Sequence, residues 1–416
     1  MTLLRKIFFY IFVAIYLTVC PLLILRMLGF VRNPQTHQLV KTGIIYVSTN
    51  PPGAEVYINN VKAHETTPTI IRDLPPDNYT IRLELKGYQI WQNTVPVVER
   101  KATATEDILL IPKQWTIKTL SSTSFDNILS LGDGNTLLLW QEQTIKSLYL
   151  LKLNKSSSED NNSLSETSQV SRVFPPESIY NNARILRFFT IEKSPFFILQ
   201  IVMGEKQKYL WVDVRDKQIH IEDLSDLLPQ EPVRLWWESG DDKIIYAYFN
   251  DHINRIDIKA KAIYPDLPQK DIPTIKDTSL NQKDIQGKVF DDNNKLWLEF
   301  TNTKIGVWDP SSKSLQWVFQ DGNNIRQVFW ANNGNTIIFL DGNQIFLLGN
   351  QHFVQNKVQK ITNIRPDSTI HYSEKTGKLY YLEPFHKLLS SITVLRHKPI
   401  LPRNIADTLR LKEFEP

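Results

Sequence analysis

The chain offers little that could do covalent chemistry. Its eight histidines, His37, His64, His220, His252, His352, His371, His386 and His397, are scattered without the spacing that brings two imidazoles onto one metal. There is no G-x-S-x-G elbow, no H-E-x-x-H, no glycine-rich phosphate loop and no C-x-x-C. Paired carboxylates can hydrolyse glycosides, and Asp241-Asp242 and Asp291-Asp292 are such pairs. Both stand in polar, turn-like stretches where aspartate is expected for its local hydrogen bonds, and neither spells a calcium loop. No catalytic, cofactor or metal residue is therefore assigned, and the expectation is a protein that is not an enzyme. Aromatic residues are the better candidates. Trp236, Trp237, Trp297, Trp308, Trp317 and Trp330 concentrate in the middle of the chain. Trp297 and Trp308 fall within strand-like runs and read as core. Trp236 and Trp237 are adjacent, so in a strand they point to opposite faces, and one of them is a candidate ligand or partner contact.

The elements that must position these residues begin with a hydrophobic run. Ile7 to Leu25 is nineteen residues without a charge, bounded by Lys6 and Arg26. As a helix it would span roughly 28 Å, close to the ~30 Å hydrocarbon core of a bilayer. A cleaved secretory signal would need a small-x-small site after it, and the run ends instead in Leu-Arg-Met-Leu-Gly-Phe. Residues 1–31 are therefore read as an uncleaved, single-pass signal anchor and 32–42 as a linker. Arg5 and Lys6 precede the run while Arg26, Arg32 and Lys41 follow it, so charge orients it weakly; the expected arrangement leaves residues 43–416 on the extracytoplasmic side.

Composition bounds the remainder. The first 42 residues hold five cations and no acid, and the whole chain is +4, so residues 43–416 carry about −1. That balance excludes a basic nucleic-acid binder. The only cysteine, Cys20, lies in the apolar run, so the rest can form no intrachain disulfide and depends on packing.

A small β domain is expected over 43–112. Two β-rich runs flank the turn Asn50-Pro51-Pro52-Gly53. In YTIRLELKGY, Tyr79, Ile81, Leu83 and Leu85 share one face and Thr80, Arg82, Glu84 and Lys86 the other, a strand with one wet side. Val47-Ser48, Pro52-Gly53-Ala54, Val56-Tyr57-Ile58-Asn59, Thr67-Pro68, Leu74, Tyr79 and Gly87-Tyr88 together resemble the PEGA domain, a small β-sandwich of bacterial and archaeal surface proteins. The resemblance implies turn and core positions and no catalytic residues. Asp77 and Asn60 stand where the family commonly has glycine, and Asp77 is expected to take a left-handed turn conformation.

From residue 113 onward the pattern becomes a repeat. Stretches 130–151, 197–214, 238–258, 291–309, 331–348 and 372–389 each run polar turn, apolar strand, short polar gap, apolar strand. Self-similarity at about 40–50 residues from short strands points to a β-propeller. The turns Gly-Asp-Gly-Asn, Gly-Asp-Asp-Lys and Asn-Gly-Asn give the units a partial resemblance to TolB-type propeller repeats. Six units are visible, and a seventh stays open because Trp115 to Leu120 is placed to pair with the segment near Ile392 to Leu401 and close the ring. Lys155 to Val170 and Pro265 to Asp284 are too polar for core and read as loops.

The expectation is thus an all-β protein: an N-terminal transmembrane helix, a PEGA-like β-sandwich at 43–112 and a six- to seven-bladed β-propeller at 113–416. Its expected role is membrane-anchored binding or scaffolding in a cell envelope, with a cell-wall glycan or an envelope protein as partner, no nucleic acid and no cofactor. The alternative is an envelope hydrolase acting on glycans or peptides, its site assembled in the propeller channel from several blades.

Overall fold

A computed structural model describes residues 3–27, 29–32, 38–153, 170–190, 194–215, 219–228, 230–238, 241–249, 252–265, 286–291, 295–349 and 358–395. It divides into two compact units, one reaching from the N-terminus to Trp115 and one spanning Thr116–His397.

The first unit opens with α1 (Leu3–Met27), which Pro21 does not interrupt. Within it Phe8–Met27 is long and apolar enough to cross a membrane, with a mean hydropathy of 2.5 and none of that window buried in the protein. The segment expected as a spacer holds a two-stranded ribbon, β1 (Phe30–Arg32) against β2 (Leu39–Lys41), with Phe30 opposite Lys41.

The small β module is a sandwich. β3 (Gly43–Asn50) lies between β6 (Thr69–Leu74) and β9 (Ala102–Leu109), antiparallel to the first and parallel to the second. The facing sheet runs β5 (Val61–Thr66), β4 (Glu55–Ile58), β7 (Asp77–Glu84), β8 (Trp91–Val97). The two runs flanking Asn50-Pro51-Pro52-Gly53 are therefore not a hairpin; the turn carries the chain from one sheet to the other. Ile45, Val47, Val56, Ile81, Leu83 and Ile108 fill the space between the sheets, which is the face that the alternation of β7 foretells. On the wet face Arg82 lies over the Tyr57 ring at 4.3 Å and 3.3 Å from Glu84. The Thr49 and Thr67 hydroxyls meet at 2.5 Å, and that of Thr67 also accepts the Ala54 amide. Asn59 and Asn60 both take positive φ, 47° and 68°, the requirement of a two-residue hairpin turn that asparagine tolerates. Asp77 departs from expectation. It opens β7 with extended backbone and accepts the Asn78 amide, and the left-handed residue nearby is Asp73, φ 60°.

The second unit is a ring of four-stranded antiparallel sheets. The chain enters through β10 (Ile117–Ser124), which is set aside until the end. The first sheet is β11 (Asn127–Ser130), β12 (Thr136–Trp140), β13 (Leu148–Lys152), β14 (Val170–Arg172). The second is β15 (Arg184–Thr190), β16 (Phe196–Met203), β17 (Lys206–Asp213), β18 (His220–Asp223). The third is β19 (Arg234–Glu238), β20 (Asp241–Phe249), β21 (His252–Asp257), β22 (Ala262–Tyr264). The fourth is β23 (Gly287–Asp291), β24 (Leu296–Phe300), β25 (Ile305–Asp309), β26 (Ser314–Phe319). The fifth is β27 (Ile325–Ala331), β28 (Thr336–Asp341), β29 (Gln344–Gly349), β30 (Val358–Asn363). The sixth takes β31 (His371–Ser373), β32 (Lys378–Leu382) and β33 (Leu388–Thr393) from the C-terminal part and β10 as its outer strand.

This is a β-propeller, with six such sheets among the described residues. Ile117 stands opposite Ile392 and Ser124 opposite Leu388, so the pairing expected of Trp115–Leu120 completes the sixth sheet rather than adding another. Each sequence repeat corresponds to the second and third strands of a sheet. Those strands are the most buried: β12 and β28 are almost entirely inaccessible. Sheet packs on sheet. Leu138, Leu148 and Leu150 join Ile185, Leu199 and Leu210; Ile198 and Trp211 join Ile245 and Ile256; Leu298 and Val307 join Val328 and Phe339. Ile128, Leu137 and Leu139 meet Tyr380, Leu382 and Leu389 where the ring closes.

Candidate functional site

The ring has two ends with different chemistry. One, called the near end here, is where β10 begins and β33 finishes; Val394 and Leu395 both donate to the Gly377 carbonyl in the turn before β32. The far end carries the turns between second and third strands and the links from one sheet to the next. Register fixes this: Arg184 pairs with Val202 and Arg234 with Tyr248, so each first strand starts beside the outer end of the second.

At the near end the turns are polar and self-satisfied. Asp133 accepts from the amides of Asn135 and Thr136 and from the Thr136 hydroxyl. The Asn333 amide donates to the Glu374 carboxylate of the next sheet. His371, the first residue of β31, is buried with its Nε2 3.1 Å from the Gly134 carbonyl, so Nε2 carries the proton. Burial pulls its pKa down from 6.5 to about 4, against the upward pull of the Gly134 carbonyl and Asp133. This histidine stitches the sixth sheet to the first and is not presented to solvent.

Several apolar side chains reach solvent at the far end, most of them around the second sheet. Ile179 in the link to the second sheet, Leu186 on β15, Met203 at the end of β16 and Val233 in the link to the third sheet are all exposed, and Phe385, between β32 and β33, is 88% exposed. Leu186 owes its position to a bulge: Ile185 pairs with Ile201 and Arg187 with Gln200, leaving 186 as the extra residue. β27 carries a bulge at the matching place, where Arg326 stands, but that guanidinium donates to the Gly342 carbonyl at 3.0 and 2.6 Å and is held within its own sheet. Beside these apolar residues in the sequence stand exposed charges of both signs, Arg184, Arg187, Glu205, Lys206 and Glu231. Arg187 lies 4.7 Å from the Phe189 ring centroid. Beneath them the Tyr209 hydroxyl sits 3.3 Å from the buried Gln200 amide, and burial pushes the phenol up to about 12. Among the described residues the exposed apolar side chains towards the near end are Ile117, Ile263, Tyr264, Phe290 and Val358, spread over four sheets.

The far end also holds the seam. Asp126, between β10 and β11, accepts the Glu142 amide at 3.0 Å and pairs with Arg365 and Lys387, each at 3.0 Å. The Glu142 amide first, then Lys387 and Arg365, hold its carboxyl below the usual range against the opposing effect of burial.

The residues singled out in the sequence are not gathered by the fold. Register puts position 237 in the row Ile245–Ile256–Ile263 and position 236 in the row Tyr246–Arg255–Tyr264. The side chains of Trp236 and Trp237 themselves lie outside the described residues. Trp308 is buried, Trp297 packs on Phe290 at 4.8 Å, Trp317 lies under Lys304 at 5.4 Å, and Trp330 donates to the Val289 carbonyl. Asp241 and Asp242 open β20 and Asp291 closes β23, at the near end. Among the described residues no three histidine, cysteine or acidic side chains converge as a metal site would require. Leu186, Met203 and Val233 carried no motif. A lone apolar residue next to a charged one in a strand reads as ordinary alternation until a bulge re-aims it.

Residues 42–109 match the family model described as "PEGA domain". No curated protein sequence matches the chain. Among solved structures it is similar to the β-propeller domain of Cps50 (Swd1) from Myceliophteria thermophila, at 10% identity over 68% of this chain and 99% of that one, with a TM-score of 0.34. A chain of the mitotic checkpoint complex shares 12% identity over 69% and 94%, with a TM-score of 0.34. TolB from Acinetobacter baumannii shares 9% identity over 64% and 65%, with a TM-score of 0.33. The ring itself is established by its strand pairing.

Proposed function

We propose that the chain is a membrane-anchored scaffold of a bacterial cell envelope, held by α1 and presenting the propeller to a protein partner at the far end of the second sheet. The observation that carries this reading is that Ile179, Leu186, Met203 and Val233 all lie at the far end, on the second sheet or in the links before and after it, with exposed charges of both signs beside them in the sequence. Exposed apolar residues scattered singly need no explanation, whereas a group rimmed by polar residues fits a protein interface. The near-neutral balance of residues 43–416 supports a protein partner over a nucleic acid. The PEGA match supports a role in interaction.

The test is comparative. The full chain, purified from membranes in mild detergent, is compared with Leu186→Asp/Met203→Asp and with the near-end control Lys313→Asp/Lys375→Asp. A protein that co-purifies in fixed ratio with the wild type and the control, and is lost from the far-end variant, is the expected result. Retention of every co-purifying protein by a far-end variant of unchanged thermal stability would end this reading. Pelleting of the full chain with isolated cell-wall sacculi, undiminished in the far-end variant, would move the contact to a glycan.

A further inference from the structure

The C-terminal end of α1 is tied into a knot that brings together charges far apart in sequence. The Gly29 amide donates to the Arg26 carbonyl at 3.0 Å, with Gly29 at φ +78°, a conformation open to glycine at a helix end. The Gly29 carbonyl then accepts both the amide and the hydroxyl of Thr42, at 2.9 and 3.2 Å. The Thr42 carbonyl accepts the Arg100 amide at 3.1 Å, and the Ile44 amide donates to Lys101 at 3.2 Å. The turn from Val98 to Lys101, between β8 and β9, thus sits against the junction of helix and sandwich. It fits closely there because residue 43 is glycine: a Cβ on Gly43 would come within 2.5 Å of the Val98 carbonyl.

The side chains at this knot are of two kinds. Arg26, Lys41, Arg100 and Lys101 are cationic, and Lys41 Nζ lies 5.0 Å from the Phe30 ring centroid. Against them stands Glu99, 3.6 Å from Arg100, and the chain holds no acid before Glu55. The apolar members, Met27, Leu39 and Val98, are exposed. Cations and exposed apolar side chains brought together at the end of the helix that is apolar enough to cross a membrane match the boundary between lipid headgroups and acyl chains. A protein partner would not require the helix end to be the centre of the patch.

We propose that this collar binds the phosphate groups of anionic phospholipids, fixing the PEGA-like module against the membrane surface; the inference rests on the reading of α1 as a membrane anchor. It holds whichever side of the membrane the module occupies. Juxtamembrane cations act at roughly 1 kcal/mol each near an anionic surface, about a fivefold change in affinity per cation.

The full chain in detergent micelles is titrated with phosphatidylglycerol or phosphatidylcholine and its bound lipid counted by native mass spectrometry. The wild type should retain phosphatidylglycerol in preference. Lys41→Gln/Arg100→Gln/Lys101→Gln should lose that preference by on the order of a hundredfold, and Lys101→Gln alone, at an exposed turn position, by about fivefold. Equal retention of the two lipids by the wild type, or a preference unchanged in both variants, overturns the proposal. Displacement of phosphatidylglycerol by inorganic phosphate at equal concentration would overturn it in favour of a free-anion site. A chain that stays integral to membranes at alkaline pH yet shows no lipid preference defeats the collar alone, whereas a chain released without detergent defeats the anchor as well.

Discussion

His371 makes the propeller acid-sensitive in a range where carboxylates are still ionised. In the folded chain burial keeps the imidazole neutral to about pH 4, while in the unfolded chain it titrates at its ordinary 6.5. Between those values the unfolded state binds the extra proton, so stability is complete above pH 6.5 and falls as the pH drops from 6.5 towards 4. At roughly 1.36 kcal/mol per pH unit the loss amounts to about 3 kcal/mol. His371→Gln removes the titration and keeps an amide able to donate to the Gly134 carbonyl. It forfeits the stacking on Tyr380, whose ring centroid lies 6.2 Å away, so at pH 7.5 it should be less stable by about 1 kcal/mol. Urea unfolding of the full chain in detergent, followed by tryptophan fluorescence at steps from pH 7.5 to 4, measures both curves. The wild type should lose about 3 kcal/mol more than His371→Gln across that interval. Carboxylates such as Asp126, Asp213 and Asp223 contribute equally to both proteins and drop out of the difference. Parallel curves would show that the imidazole is not held neutral, and the packing of β31 against the first sheet would be wrong.

Other consequences follow from the seam, the turns and the sheet interior. Asp126→Ala strips Arg365 and Lys387 of their carboxylate and should cost about 1–3 kcal/mol in the same unfolding assay. Because the Asp126 pKa is lowered, its contribution is present above the ordinary aspartate value and is lost only as pH falls through the folded one, below the window in which His371 acts. Asn60→Val places a β-branched residue at φ 68° and should lower the midpoint of the small module by the equivalent of about 1–3 kcal/mol, while Asn60→Gly is near neutral by calorimetry. Gly306→Ala drives a Cβ to 2.8 Å from Leu315 and 3.1 Å from Trp317 and should cost about 1–3 kcal/mol in the propeller transition alone.

Much of the fold was legible because the signals were local and repeated. The alternation of Tyr79, Ile81, Leu83 and Leu85 marks β7 and its buried face, and the apolar hairpins mark the middle strands of every sheet. First and fourth strands were faint, since one edge of each borders the channel or solvent and burial no longer dictates their residues; β22 and β14 are three residues each. The partner of β10 was visible, since Trp115 to Leu120 was expected to pair near Ile392, but not that this pairing completes a sixth sheet rather than adding a seventh, because closure is a property of the whole ring. The candidate surface was not legible. Trp236 and Trp237 drew attention by type, whereas the exposure of Leu186 depends on a bulge and that of Met203 and Val233 on which loops share an end. Likewise Arg100 reaches the helix end through a backbone hydrogen bond to Thr42, a contact between positions with no sequence relation.

The most direct measurement is site-specific photo-crosslinking of the full chain in intact cells. A photoreactive residue is placed at 186 or 203 on the far end, or at 313 or 375 on the near end. A discrete cross-linked species of one partner protein is expected from 186 and 203 and none from 313 and 375. A species formed from the near-end positions, with none from 186 or 203, would contradict it.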